Sequence, residues 1–378
     1  MNNFIVYFPY EVNKNGNSGS SIRPIKIISA FEKFSRENDL EMILISGDTK
    51  TRKKQIYEFI QKGKANKSLF CYIENSTTPY WLTDQDHFPR ALTLDYKFWK
   101  LLKNNNVKIG LFYRDIYWKF DEIYKLSGIK SLMTPFVKFL YKLEIEIFKR
   151  VVDILYVPSV LMNKYIGWKK RVESLPPGVE DNHIYNKNEV LNKITNAIYV
   201  GGISDRYGLK MMLEAFEKVN TISKVNLLLV CRREEYKKQE NIISPYLNQE
   251  WLKVEHKDSS ELAELYRDAH FSLIPIQIIK YHDFAVPVKL FEYLSFCKPV
   301  VATNCGALSE IIKQNNYGIL TSYESGEFAK GIIQMIDPQN YNKYRNSIEK
   351  SAVGKHSWYA RVNQVANQLL EIRNKTFL

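Results

Sequence analysis

The sequence predicts an α/β protein made of two similar parallel-sheet domains. Short apolar runs alternate with longer amphipathic ones almost from end to end, the pattern of repeated strand-helix units. The chain has 378 residues, more than a single hydrophobic core usually serves. Near the middle stands LPPGVED at 175–181, where two prolines and a glycine can continue neither a helix nor a central strand. These observations place one domain at 1–176, a second at 177–355, and a closing segment at 356–378.

Strands are expected at 3–8 (NFIVYF), 41–46 (EMILIS), 69–73 (LFCYI), 107–113 (VKIGLFY) and 153–157 (DILYV), with helices between them such as 24–35 and 88–103. The second half repeats the layout, with strands at 197–201, 225–230, 271–275 and 298–302. At 356–375, Trp358, Val362, Val365, Leu369 and Ile372 recur at helical spacing, which predicts an amphipathic helix packed back on the body.

Composition narrows the class. With 45% hydrophobic and 25% charged residues, and only 16 Gly and 13 Pro, the chain should fold throughout. Cys71, Cys231, Cys297 and Cys305 are too few and too scattered for a disulfide framework and read as reduced core thiols. They and the six histidines show no zinc spacing. The opening MNNFIVYFPYEVNK lacks the features of a signal peptide, and no apolar run is long enough to span a bilayer, so the expected location is cytoplasmic.

The net charge is +13, and residues 1–190 hold 30 Lys and Arg against 21 Asp and Glu. That half also mixes lysines with aromatics, at 96–103 (YKFWKLLK) and 138–150 (KFLYKLEIEIFKR), which suits an anionic membrane surface such as the inner face of the cell membrane, or a phosphorylated partner. A solvated basic face is the alternative. No RNA- or DNA-reading motif is present, and the cations are spread rather than clustered, so nucleic acid is not an expected partner.

In open parallel sheets ligands sit outside the carboxyl ends of the strands, so the loops there are the places to look for chemistry. The first, VNKNGNSGSS at 12–21, has Gly16 and Gly19 ahead of a helix opening near Pro24, where backbone amides can approach an anion. It lacks dinucleotide and P-loop spacing, and a plain loop is the alternative. At 112–120 (FYRDIYWKF), Arg114 and Asp115 close a strand, with a carboxylate of the kind that can orient or deprotonate a hydroxyl, and Tyr117 and Trp118 offer flat aromatic faces. A structural Arg-Asp pair and core aromatics compete with that reading.

At 199–216 (YVGGISDRYGLKMMLEAF) a strand ends at Gly201-Gly202 and a helix begins near Gly208, with Arg206 and Lys210 beside its N-terminus, a combination suited to a diphosphate. At 286–312, Pro287 opens a helix that sets Lys289 and Glu292 three residues apart on one face. A buried strand then ends at Thr303, and Gly306 precedes a helix carrying Glu310. A carboxylate fixed on a helix can accept hydrogen bonds from vicinal ribose hydroxyls. Asp84-Gln85-Asp86 has the D-x-D form of a metal site but stands in loop-like sequence before the helix at 88, where Asp86 as an N-cap or His87 facing a cleft fits better.

The run from Pro287 to Thr303, with Gly306 and Glu310, resembles the donor-nucleotide motif of GT-B glycosyltransferases, particularly family 4 (glycosyl transferases group 1) and its relatives in bacterial surface-polysaccharide synthesis. The segments at 199–216, 256–275 (HKDSSELAELYRDAHFSLIP) and 174–181 are similar to that family's diphosphate loop, base-proximal segment and linker. The resemblance implies a GT-B fold, with two Rossmann-like domains facing a central cleft. It further implies transfer from a nucleotide-sugar, UDP first, to a saccharide acceptor of lipid-linked type, with no metal or other cofactor. Glu292 would bind the donor ribose, Arg206 and Lys289 would face and stabilise the departing diphosphate, and Gly202 and Gly306 would allow close backbone approach. Acceptor contacts would fall to Gly16, Gly19, Arg114, Tyr117 and Trp118, with Asp115 catalytic.

Two departures stand out. The family's first glutamate, eight positions before the second, is replaced by Phe284, and Ile203 follows Gly202 where the family has Arg or Lys. They keep two rivals open, a catalytically silent GT-B partner subunit and a nucleotide-sugar epimerase of the same fold.

Overall fold

The computed structural model describes residues 1–13, 19–124, 128–180, 193, 195–257 and 261–375. The chain divides into two compact units: Met1–Pro176 together with Trp358–Leu378, and Pro177–Ser357. Each is built on a six-stranded parallel sheet flanked by helices.

In the first unit the strands are β1 (Asn3–Tyr7), β2 (Glu41–Ile45), β3 (Ser68–Glu74), β4 (Lys108–Phe112), β5 (Ile154–Val157) and β6 (Arg171–Ser174), in the order β2-β1-β3-β4-β5-β6. β1, β4 and β5 are buried at every position, as strands covered on both faces must be. One core layer joins Phe4, Phe31, Phe34, Phe70 and Tyr72 to Trp358, Val362, Val365 and Leu369 of the last helix, Trp358–Lys375. Its apolar stripe packs back on this sheet, as the spacing predicts, and so close that a Cβ on Gly110 would meet Leu369 Cδ1 at 3.1 Å.

The second unit holds β7 (Asn196–Val200), β8 (Asn226–Val230), β9 (Leu252–Glu255), β10 (Phe271–Ile274), β11 (Val300–Thr303) and β12 (Gly318–Thr321), in the order β12-β11-β10-β7-β8-β9. The sequence reading missed β6, β9 and β12. All three are four-residue edge strands, and each has only one neighbour and at least two residues short of full burial, so none carries a continuous apolar run.

Two helix expectations need correction. The helix expected at 88–103 begins only at Leu94, because Pro89 lies in a loop and His87 and Ala91 adopt positive φ (55° and 45°). Asp86 is therefore no N-cap: it accepts from Phe88 N at 3.1 Å and pairs with Arg90. The helix expected near Pro24 starts at Gly19, with Pro24 inside it.

Candidate functional site

In the second sheet the order reverses between β10 and β7, so the loops leaving these central strands diverge and leave a crevice at their carboxyl ends. The sequence-predicted donor residues collect there. Beyond β7 the chain turns through Gly201 at φ +129°, a region disfavoured for side-chain-bearing residues, and a Cβ there would lie 3.2 Å from Lys289 Nζ. Gly201, not only Gly202, thus makes room for the cation. A Cβ on Gly202 would meet the Tyr207 ring at 2.7 Å.

Lys289 projects from the first turn of the helix Val288–Ser295, which follows Pro287. Its Nζ donates to Tyr199 Oη at 2.9 Å and lies 4.2 Å from the Tyr199 ring centroid and 5.2 Å from that of Tyr207. Tyr199 is itself buried and donates to the Gly202 carbonyl. Burial pushes the Lys289 ammonium down to about 7, against the opposing pull of Glu292 and Glu235. Among the described residues Lys289 forms no ion pair with any carboxylate.

Glu292 stands one turn on from Lys289, and burial raises its carboxyl above the usual range despite the Tyr266 phenol and Lys289 beside it. Arg206 is exposed on the single turn Asp205–Tyr207, its guanidinium 5.0 Å from the Tyr207 ring centroid. Its carbonyl accepts from Gln277 N at 2.9 Å, tying the loop after β7 to the loop after β10. Thr303 Oγ1 donates to Ile276 O at 2.6 Å, and Ala307 N to Asp283 O at 2.8 Å. Gly306 has φ +36°, and a Cβ there would fall 1.8 Å from Asp283 O, so no larger residue fits that junction.

Sequence reasoning missed two groups of this site. Glu235 Oε2 accepts from Ile203 N at 3.0 Å and acts electrostatically on Lys289. His282 is buried, with Nδ1 at 2.7 Å from Gln277 O, and burial holds its imidazole below the ordinary value with Arg206 and Lys289 adding to the effect. Phe284, where the family has an acid, is buried and packs against Tyr281 with ring centroids 5.4 Å apart.

The first unit also has its order reversal at the centre, between β1 and β3. There Glu74, fully buried at the end of β3, is met by Arg114 Nη2 at 2.9 Å, Arg23 Nε at 3.3 Å and Tyr72 Oη at 2.8 Å. Arg114 also donates to Tyr10 Oη at 2.9 Å, so Glu74 and Tyr10 hold its guanidinium. Among the described residues the two terminal nitrogens of Arg23 have no hydrogen-bond partner, and its Cζ lies 3.6 Å from the Phe112 ring centroid.

Asp115 Oδ1 accepts from the N–H groups of Ile116 at 2.6 Å and Tyr117 at 2.9 Å, forming the turn that follows. Trp118 is a correction: it is buried, with its ring stacked on Tyr141 at 4.9 Å and 4°, and offers no face to a sugar. Tyr117 is half-buried and donates to Thr77 O at 3.1 Å. Gly19 is the first residue of its helix, and Gly16 lies outside the described residues. Asp84 accepts from Thr49 N at 2.9 Å and faces Arg90, and His87 Nδ1 lies 2.8 Å from Leu82 O. Among the described residues no three His, Cys, Asp or Glu are grouped to hold a metal ion.

The fold agrees with what comparison with known proteins finds. Residues 195–338 match the family described as Glycosyl transferases group 1. The whole chain superposes on a glycosyltransferase from Rickettsia africae with a TM-score of 0.64 and 14% identity, covering 98% of this chain and 99% of that one. It matches sucrose-phosphate synthase from Thermosynechococcus elongatus at 0.63 and 14%, covering 99% of each. HepE of Anabaena, solved with UDP-glucose, matches at 0.58 and 14%, covering 97% of this chain and 99% of that one. No curated protein sequence matches closely enough to count as a relative. The fold is GT-B, as the motifs implied. Within it, residues 195–338 of the second unit are similar to the group 1 glycosyltransferases.

Proposed function

We propose that the protein transfers a glycosyl group from a nucleotide-sugar, with UDP as the nucleotide, to a saccharide acceptor. The observation that carries this reading is Lys289, a desolvated cation at the β7/β10 reversal with no carboxylate partner among the described residues, one turn from Glu292. As the anomeric carbon leaves the diphosphate oxygen for the acceptor oxygen, negative charge collects on the diphosphate, and fixed cations there lower the barrier. Lys289 and the exposed Arg206 are the cations of this site, the Leu209–Asn220 helix presents its N-terminal amides nearby, and Glu292 accepts from the ribose hydroxyls. These groups neutralise the diphosphate without a metal ion.

HepE was solved with UDP-glucose, and a trehalose-phosphate synthase from Burkholderia xenovorans of similar fold with glucose-6-phosphate, which supports this donor and acceptor chemistry. Within the same proposal the first unit takes the acceptor, a lipid-linked saccharide of surface-polysaccharide or glycoconjugate synthesis, at the cytoplasmic side of an anionic membrane. The basic balance of residues 1–190 supports that location, and among the described residues no helix is long and apolar enough to cross a membrane.

Calorimetric titration with UDP tests the donor site. Glu292→Ala is expected to weaken UDP by about 1.5–3 kcal/mol, the scale of a charged hydrogen-bond partner, with the melting temperature unchanged. Equal affinity in the variant would remove Glu292 from the site. Absence of binding by any nucleoside diphosphate at millimolar concentration would favour the silent-subunit reading, which the buried Phe284 keeps in play.

A further inference from the structure

Away from both strand-end clusters, the first unit carries a surface unlike a solvated face. Leu132, Met133, Phe136, Phe139 and Leu143 are 80%, 51%, 46%, 58% and 39% exposed. They fall on the turn Gly128–Met133 and the helix Thr134–Val151 that follows it. Within the helix, Phe136, Phe139 and Leu143 are three and four residues apart and so share one stripe. The opposite stripe is the one that anchors the helix, with Leu140, Tyr141, Ile145 and Phe148 buried. Large apolar side chains gathered on an exposed stripe mark an interaction surface.

Its border is cationic. Lys138, Lys142, Lys149 and Arg150 stand on this helix and Lys119 on the earlier turn Tyr117–Lys119, against Asp121, Glu122 and Glu146. Lys138 pairs with Asp121, and Lys149 with Glu146 at 2.7 Å. Lys119 is held below its ordinary value by burial and then by Lys142 and Lys149, so these three ammonium groups lie near enough to repel one another. Two copies meeting through this stripe would oppose cations with cations. A surface of fixed negative charge with an apolar layer beneath it answers both halves of the pattern.

The other stretch that sequence reading offered to a membrane does not compete. In the helix Leu94–Asn104 the aromatic residues Phe98 and Trp99 are 2% and 0% exposed, packed inward beside Tyr7 and Tyr80.

We propose that the 132–143 stripe is the membrane-docking surface: Leu132, Phe136, Phe139 and Leu143 enter an anionic bilayer at headgroup depth while Lys138 and Lys142 meet lipid phosphates. This rests on the membrane-side reading of the acceptor given above and names the face that achieves it.

The test is sedimentation of the full chain with vesicles of phosphatidylglycerol and phosphatidylcholine at low salt, for the native protein and for Phe136→Ser/Phe139→Ser/Leu143→Ser. The native protein is expected to bind, to be released by salt, and to ignore pure phosphatidylcholine. The triple variant is expected to bind at least tenfold more weakly while keeping native UDP affinity, which shows that it is folded. A variant that binds vesicles as the native protein does would overturn the assignment of this face and leave peripheral attachment standing. A native protein that ignores anionic vesicles would overturn both. Sedimentation velocity supplies a further arm: a native dimer that the triple substitution dissociates would assign the stripe to a second copy and sink the proposal. Because the four native cysteines are buried, Phe139→Cys can be labelled selectively with an environment-sensitive dye. Its emission should shift to the blue on anionic vesicles, and an unshifted spectrum on bound protein would count against insertion.

Discussion

At the carboxyl end of the first sheet, the buried cations Arg23 and Arg114 both reach a carboxylate, Glu74, within 3.3 Å. At the corresponding end of the second sheet, Lys289 is desolvated with a phenol as its hydrogen-bond partner and, among the described residues, no carboxylate within ion-pair distance. The strand-order reversal is the same in kind, and the electrostatic finish is different. A buried charge met by its opposite is part of the architecture, since removing either partner strands the other in a poor solvent. A desolvated cation with no carboxylate beside it among the described residues is open to a bound anion, which is how the second crevice reads, whereas in the first Glu74 ties Arg114 and the Nε of Arg23, and only the two terminal nitrogens of Arg23 stay without a partner among the described residues.

The comparison breaks most visibly at Glu74. Glu74→Ala should lower unfolding stability by about 3–5 kcal/mol, the scale of breaking a buried pair, as measured by urea denaturation. A loss below 1 kcal/mol would mean the cluster does not brace the unit. In the second unit the matching change, Lys289→Met, should leave stability level or raised while weakening UDP by about 2–3 kcal/mol, within the range for charged hydrogen bonds. A stability loss without an affinity loss would make Lys289 structural and erase the contrast.

The third expectation concerns pH. With its folded value lowered to about 7 from 10.5, Lys289 is increasingly neutral above pH 7 in the free protein. A bound diphosphate favours the charged form, so binding takes up a proton there, and affinity falls with rising pH by up to about 1.4 kcal/mol per unit. Calorimetry in buffers of different ionisation enthalpy reads that proton directly, and its absence at pH 8 would refute the lowered value. The smallest effect belongs to Tyr117→Phe, which removes the hydrogen bond to Thr77 O. It should cost about 1 kcal/mol of stability and leave UDP affinity untouched.

The donor crevice was legible because its parts are punctuated: glycines end a strand, Pro287 opens a helix, and Lys289 and Glu292 are fixed by helical spacing. Glu235 was not, since RREEYKK at 232–238 reads as a solvated charged helix and only the fold turns one of its acids toward Ile203. The acids of the first unit were hidden differently. Glu74 follows the apolar run LFCYI and Glu144 sits in KLEIEIF, where alternation suggests solvent-facing positions. Yet both are fully buried, and burial pushes the Glu144 carboxyl up to about 8 while Tyr80 N, Asn75 and Tyr113 hold it. Trp118 misled in the opposite sense, because an aromatic beside charges in a loop looks exposed until Tyr141 is seen to cover it.

The return of the last helix to the first sheet sets an order of events during synthesis. Residues 1–176 leave the ribosome long before Trp358, Val362, Val365 and Leu369, which complete their core layer. The second unit, continuous in sequence from Pro177 to Ser357, needs nothing that comes later. The first unit to be translated is therefore the last to be finished, and until the final helix arrives it holds Phe4, Phe70 and Tyr72 behind an open apolar wall. A premature stop just before Trp358 is expected to yield a folded second unit joined to a first that exposes this wall and aggregates.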